Sequence, residues 1–215
     1  MSRTEMPSRP DGGLVPATRE ALAVDSTELA PRLLGAVLSH DTDEGRVGVR
    51  LSEVEAYRGV GEDPGSHAFR GKTPRNAVMF GEAGRLYAYF TYGMHVCLNI
   101  VAGRPGASSA VLLRGGTVVE GLELARARRP RAADRDLARG PARLGLALGV
   151  PLSADGADLL APPFALSLPA EPLAFDTSAR TGVSGFGGGA DFPWRFFLPG
   201  DPGVSPYRRH ARAAD

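Results

Sequence analysis

The chain has 215 residues, the size of a single domain, and its 43% hydrophobic and 23% charged residues are enough to bury a core and exclude a disordered protein. The single cysteine, Cys97, excludes an internal disulfide, a cysteine zinc site and a four-thiolate iron–sulfur cluster. The net charge of +1 hides an uneven distribution of −5 over residues 1–64, +8 over 65–143 and −2 over 144–215, so the middle of the chain is either a surface for a polyanion or a solvated face.

Residues 1–16 have no apolar period and are expected to be a flexible N-terminal arm outside the fold. They contain no apolar signal core, and no apolar run reaches the ~18 residues of a spanning helix, so the expected location is cytoplasmic, with no membrane partner. Residues 25–34 predict a short helix with Asp25 and Glu28 spaced as a capping box, Leu29, Leu33 and Leu34 on one side, and Pro31 tolerated near the first turn. Residues 46–57 alternate as a strand that places Val47, Val49, Leu51, Glu53, Glu55 and Tyr57 on one face if no bulge intervenes. Residues 59–80, rich in Gly, Pro and polar side chains and containing His67, predict a long functional loop. Residues 85–90 and 95–101 predict a hairpin with its tip at Tyr92-Gly93. Residues 109–114 predict a further strand, 118–129 and 141–148 two helices, and the remainder short apolar runs broken by Pro and Gly, with a glycine-rich piece at 185–189.

Three features of this pattern can carry chemistry. Glu55 on an apolar strand is either half of a structural pair, with Arg114 as its partner, or a functional carboxylate of shifted affinity for protons. Asp63 and His67 have helical spacing across Pro64, where no helix can run, so no metal site is expected there. Tyr87, Tyr89 and Tyr92 fall within six residues; the first two can be core side chains, whereas a ring at a turn tip has little core to fill and can act as a wedge between bases. Asn99 is an amide among Val96, Leu98, Ile100 and Val101 and needs partners if buried.

Val54-Glu55-Ala56-Tyr57, Ser66-His67-Ala68, Thr73-Pro74-Arg75-Asn76, Met79-Phe80-Gly81, Leu86-Tyr87-Ala88-Tyr89 and Tyr92-Gly93-Met94-His95 follow one another in this order. Asn99, Val111-Leu112-Leu113-Arg114, Arg139-Gly140-Pro141-Ala142-Arg143-Leu144, Pro193-Trp194-Arg195-Phe196 and Gly200-Asp201-Pro202 continue the series. Through these motifs the chain resembles the 3-methyladenine (alkyladenine) DNA glycosylases over nearly all of residues 17–208. The resemblance implies an α/β fold of the α+β kind: a single domain, 17–209, with a curved, mainly antiparallel sheet, surrounding helices and a protruding DNA-inserting hairpin, followed by a C-terminal tail, 210–215. It implies base excision repair of double-stranded DNA by a monomer with no cofactor and no metal, in the cytoplasm and, in a bacterium, on the nucleoid.

Residue by residue, the resemblance makes Glu55 the general base for a water that attacks C1′, with Arg114 and a backbone carbonyl at Thr181 orienting that water. Tyr57 and His67 would stack on one face of the flipped purine and Tyr89 on the other, while Asn99 would exclude guanine by clash. Tyr92 would fill the gap in the duplex, and Arg70, Lys72, Arg75 and Arg143 would contact phosphates. Lys72 is the one lysine, so a Schiff base with the sugar is poorly served and a monofunctional enzyme is expected. Val60-Gly61 is one residue more than the pattern and can displace His67 unless the loop absorbs it. Two rival readings are a non-catalytic module that binds damaged DNA, which has no need of Glu55, and a hydrolase using Glu53 and Glu55 as an acid/base pair, which same-face carboxylates serve badly.

Overall fold

The computed structural model describes residues 13–91 and 95–214. The expected wedge, Tyr92, and the rest of the hairpin tip lie outside the described residues. The strands are β1 (Leu14–Pro16), β2 (Val37–Thr42), β3 (Gly45–Tyr57), β4 (Leu86–Thr91), β5 (His95–Ala102), β6 (Ser109–Glu120), β7 (Phe164–Pro169), β8 (Asp176–Ser178) and β9 (Arg195–Phe197). The helices are α1 (Arg19–Leu22), α2 (Ser26–Arg32), α3 (Leu122–Arg128) and α4 (Pro141–Leu148). The sheet runs β1-β7-β2-β3-β6-β5-β4, with β9 paired to the C-terminal half of β3 and β8 to β9. Every pairing between these strands is antiparallel. This is the expected α/β domain, of the α+β kind, built on one mainly antiparallel open sheet. Among the described residues no helix is long and apolar enough to cross a membrane.

Hydrophobic periodicity explains most of these elements. Leu29, Leu33 and Leu34 are fully buried and join the core cluster of β2, β3, β5 and β6. Asp25 caps α2 by accepting from the Thr27 N–H at 2.9 Å, but Glu28 pairs with Arg32, so only half of the expected capping box forms. Pro31 sits in the last turn of α2, not the first. There its missing N–H costs one hydrogen bond of a helix that is ending. Helix α4 begins on Pro141 and stops at Gly149, and it packs on β5 and β6.

Three boundaries differ from expectation, each because a pairing partner was available. Leu14–Pro16 pairs with β7, so the end of the expected arm joins the sheet at an edge, where proline is tolerated. Strand β6 runs on to Glu120, with Thr117 and Val118 opposite Arg50 and Val49, and the helix expected from residue 118 starts only at Leu122. Residues 210–214, expected to be a tail, are tied down: the Gly185 N–H donates to the Arg212 carbonyl at 2.7 Å and the Ala214 N–H to the Gly185 carbonyl at 3.0 Å.

Candidate active site

A bulge in β3 creates the floor of the site. Leu51 pairs with Gly116, Glu53 with Gly115 and Val54 with Leu113, so Ser52 is an extra residue, and one extra residue reverses the faces that follow. Val47, Val49 and Leu51 enter the core before the bulge, and Val54 and Ala56 enter it afterwards. Glu53, Glu55 and Tyr57 therefore leave the face they were expected to share with Val47, Val49 and Leu51. The carboxylates replace no core side chains; they sit on the opposite side of the sheet.

The two carboxylates have separate fates. Glu53 is fully buried; its Oε1 accepts from Arg195 Nε at 2.6 Å and Arg114 Nε at 2.9 Å, and its Oε2 accepts from the Ser205 N–H at 2.7 Å. Both oxygens are engaged by fixed donors, which disfavours a Glu53–Glu55 acid/base pair. Glu55 is also fully buried; its Oε1 accepts from the Thr181 N–H at 2.6 Å and its Oε2 from the Tyr57 hydroxyl at 2.9 Å. Arg114 Nε stands 3.5 Å from Glu55 Oε1, so one guanidinium spans both carboxylates. Burial opposes that charge, but Glu55 and Glu53 outweigh it and raise the Arg114 pKa. Thr181 touches Glu55 through its N–H; the resemblance had implied a role for its carbonyl.

A buried ion pair fixes the loop that carries His67. Arg180 and Asp63 are both fully buried, and the guanidinium grips both carboxylate oxygens at 2.6 Å, the bidentate form that suits arginine. Asp63 also accepts from the N–H groups of Arg58 at 3.1 Å and Gly65 at 2.8 Å. Arg180 donates to the carbonyls of Ala56 and Gly187 and stacks over the Tyr57 ring at 4.5 Å. A Cβ at Gly187 would lie 2.4 Å from the Gly65 nitrogen, so the glycine-rich piece is what lets two backbones meet here. The extra Val60-Gly61 is absorbed on the outside: Val60 is exposed and Gly61 turns at φ +73°.

His67 thus reaches the cleft, where its Nδ1 is 3.0 Å from the Tyr87 hydroxyl. Its loop is pinned by Asn76, whose Nδ2 donates to the His67 carbonyl at 2.9 Å and which closes a capping box with Thr73. Burial first, and the Arg75 charge second, lower the His67 pKa, which favours a neutral ring. Burial likewise pushes the Tyr87 hydroxyl up to about 12. His67 and Tyr89 meet edge to face at 4.6 Å, and Tyr89 stacks on Tyr87 at 5.5 Å. A planar base held between two rings needs roughly 7 Å between them. His67 and Tyr89 are therefore in contact, with no gap for a base between them, and Tyr57 also lines the cleft. Asn99 is buried; its Nδ2 donates to the Tyr87 carbonyl at 3.0 Å.

The cleft so formed has a volume of about 590 Å³ and is lined by Glu55, Tyr57, His67, Tyr89, Asn99, Arg114 and Thr181, among others. Seven of the expected residues thus come together. Of the four expected phosphate contacts, Arg70, Lys72, Arg75 and Arg143 are all exposed. Arg75 lies over Tyr89 at 5.7 Å and Lys72 over Phe80 at 5.7 Å, and Arg143 stands 3.7 Å from Asp136. Arg180 and Arg195 were missed as supports of the site, while Asp63 had been weighed only as a metal ligand and Glu53 only as an acid/base partner of Glu55. A buried charge in a polar loop has no local signature, and the Asp63–Arg180 partners are 117 residues apart.

An open antiparallel sheet with a ring-walled cleft over a buried carboxylate is the form of a single-domain enzyme. A family model described as "Methylpurine-DNA glycosylase (MPG)" matches residues 20–202. The chain belongs to the methylpurine-DNA glycosylase family. It is 64% identical over 197 residues, 89% of this chain and 92% of the relative, to a protein of Leifsonia xyli subsp. xyli named "Putative 3-methyladenine DNA glycosylase". Proteins of the same name from Streptomyces avermitilis and Nocardia farcinica are each 52% identical, over 91% and 90% of this chain and 93% and 92% of their own lengths.

Proposed function

We propose that the protein is a monofunctional 3-methyladenine DNA glycosylase of base excision repair, which flips a damaged purine out of double-stranded DNA and hydrolyses its N-glycosidic bond. The observation that carries this reading is Glu55, a buried carboxylate on the lining of a cleft that also holds the rings of Tyr57, His67 and Tyr89. Its oxygens accept from Thr181 and Tyr57, fewer than the roughly four bonds that a carboxylate can accept, and the water of the reaction would be a further donor. The lesion purine enters between Tyr57 and the wall of His67 and Tyr89, which attracts an alkylated, positively charged ring. Flipping itself costs about a few kcal/mol, least for a damaged base.

Glu55 then takes a proton from the water as its oxygen bonds to C1′. The C1′–N bond breaks with its electron pair passing to the purine, and the negative carboxylate stabilises the oxocarbenium-like sugar. Arg114, beside Glu55 and already tied to Glu53, orients the water. Asn99 opposes the exocyclic amine of guanine by clash. Tyr92 fills the gap in the duplex, and Arg70, Lys72, Arg75 and Arg143 hold phosphates. The chemistry draws on water and side chains alone, and a monomer acting in the cytoplasm or on the nucleoid suffices.

The test is release of free base from duplexes carrying hypoxanthine or 1,N6-ethenoadenine and from methylated DNA. Abasic product without strand cleavage is the expected result, because Lys72 is not among the residues lining the cleft and a lyase needs an amine at the sugar. Binding without release on every substrate would instead favour a damaged-DNA-binding module. Four phosphate contacts further predict that log K falls with log salt with a slope of about −3 to −4. A titration of duplex affinity between low and moderate salt measures it, and a flat response would remove these four side chains from the DNA interface.

A further inference from the structure

We propose that Arg208 is a phosphate clamp for the flipped nucleotide, a DNA contact beyond those already named; the inference rests on the glycosylase reading above. Among the described residues two arginines line the cleft, Arg114 and Arg208. Arg114 is committed to carboxylates, at 2.9 Å from Glu53 and 3.5 Å from Glu55. Arg208 is exposed, and its side chain has no partner among the described residues. An exposed guanidinium on a residue that lines the cleft suits an anion with paired oxygens.

The backbone beneath this side chain is fixed. The Arg208 carbonyl accepts from the Gly182 N–H at 3.0 Å, and Gly185 bonds both Arg212 and Ala214. Arg209 folds back, its Nη2 donating to the Ala213 carbonyl at 3.3 Å. The C-terminal segment therefore lies along the loop whose Thr181 N–H holds Glu55. Arg208 and the carboxylate share one support.

The ligand follows from the geometry of flipping. When the base is in the cleft and C1′ is at Glu55, the phosphates on either side of that sugar stay at the mouth. Each is an anion whose oxygens match an arginine fork, and such a contact positions the nucleotide without reading its sequence. Arg208 is the lining cation that is free to make it.

Single-turnover excision at increasing enzyme concentration tests the clamp, comparing wild type, Arg208→Ala and Arg208→Lys. The duplexes are an ordinary lesion duplex and two others in which a neutral methylphosphonate replaces one flanking phosphate. Arg208→Ala is expected to raise the half-saturating concentration about tenfold, as loss of one charged hydrogen-bonded contact does, with the saturated rate within about threefold of wild type. Arg208→Lys should recover part of the loss. One methylphosphonate should cost wild type the same factor and cost Arg208→Ala nothing further, because the pair has already been broken. Unchanged saturation in Arg208→Ala, or a full methylphosphonate penalty in that variant at both flanks, overturns the clamp and leaves the glycosylase reading intact. No base release by wild type from any duplex removes that reading, and the clamp with it.

Discussion

Glu55→Gln is expected to slow base excision by about 10³-fold, within the 10²- to 10⁴-fold range for loss of a positioned general base, while the protein stays folded and binds lesion DNA. The substitution is mild for the fold because of what the carboxylate touches. A glutamine carbonyl can still accept from the Thr181 N–H, and the Tyr57 hydroxyl, which donates to Glu55 Oε2, can rotate to accept from the new amide. Arg114 loses one charge nearby but keeps Glu53 at 2.9 Å. Glu55→Ala is harsher: it leaves both half-buried donors without an acceptor, at up to about 1–3 kcal/mol each, and confounds chemistry with stability. The measurement is single-turnover release of base at saturating enzyme, with thermal unfolding and duplex affinity recorded on the same preparation. A Glu55→Gln rate within tenfold of wild type would remove Glu55 as the base and move the search to another activator of water.

The parts of this arrangement that could be read in the sequence are those governed by short-range periodicity. The hairpin of β4 and β5, the helix from Pro141 and the burial of Leu29, Leu33 and Leu34 each follow from a repeat visible within one window. Glu55 and Tyr57 stood out because two residues on one strand face must meet, and the structure joins them by a hydrogen bond. The face itself could not be read, since the bulge at Ser52 depends on how β3 pairs with β6 and leaves no mark in the β3 sequence. Residues 118–120 fit a helix period as well as a strand period, and only the partner across the sheet, Gly48 and Val49, decides between them. The edge-to-face contact of His67 with Tyr89 was equally out of reach, because it depends on a loop tethered from a remote segment of the chain.

That tether carries the largest expected effect on stability. Arg180→Ala should lower the unfolding free energy by about 3–5 kcal/mol, the usual consequence of leaving one member of a buried pair without the other. For a chain of this length that is a fall in Tm of roughly 10 °C. Asp63 is fully buried, and without the guanidinium it keeps only the N–H donors of Arg58 and Gly65, too few for a full charge away from water. The loss also reaches the site, since Arg180 supports the ring of Tyr57 at 4.5 Å and the carbonyl of Ala56 at 3.0 Å. Excision by the folded fraction should therefore fall as well, through a mispositioned Tyr57 and a loosened His67 loop. A double substitution separates charge from shape: Arg180→Met with Asp63→Leu removes both ions and should be more stable than either single variant, because an apolar pair has no stranded charge. Its excision rate should remain low even so, since neither new side chain can hold Ala56, Gly187 and the Tyr57 ring together. Denaturant unfolding of the four proteins gives the coupling energy, and single-turnover rates give the effect on chemistry. A single Arg180→Ala variant within about 1 kcal/mol of wild type would mean that the loop over the cleft is held by its backbone contacts, with Gly187 against Gly65 as the principal one.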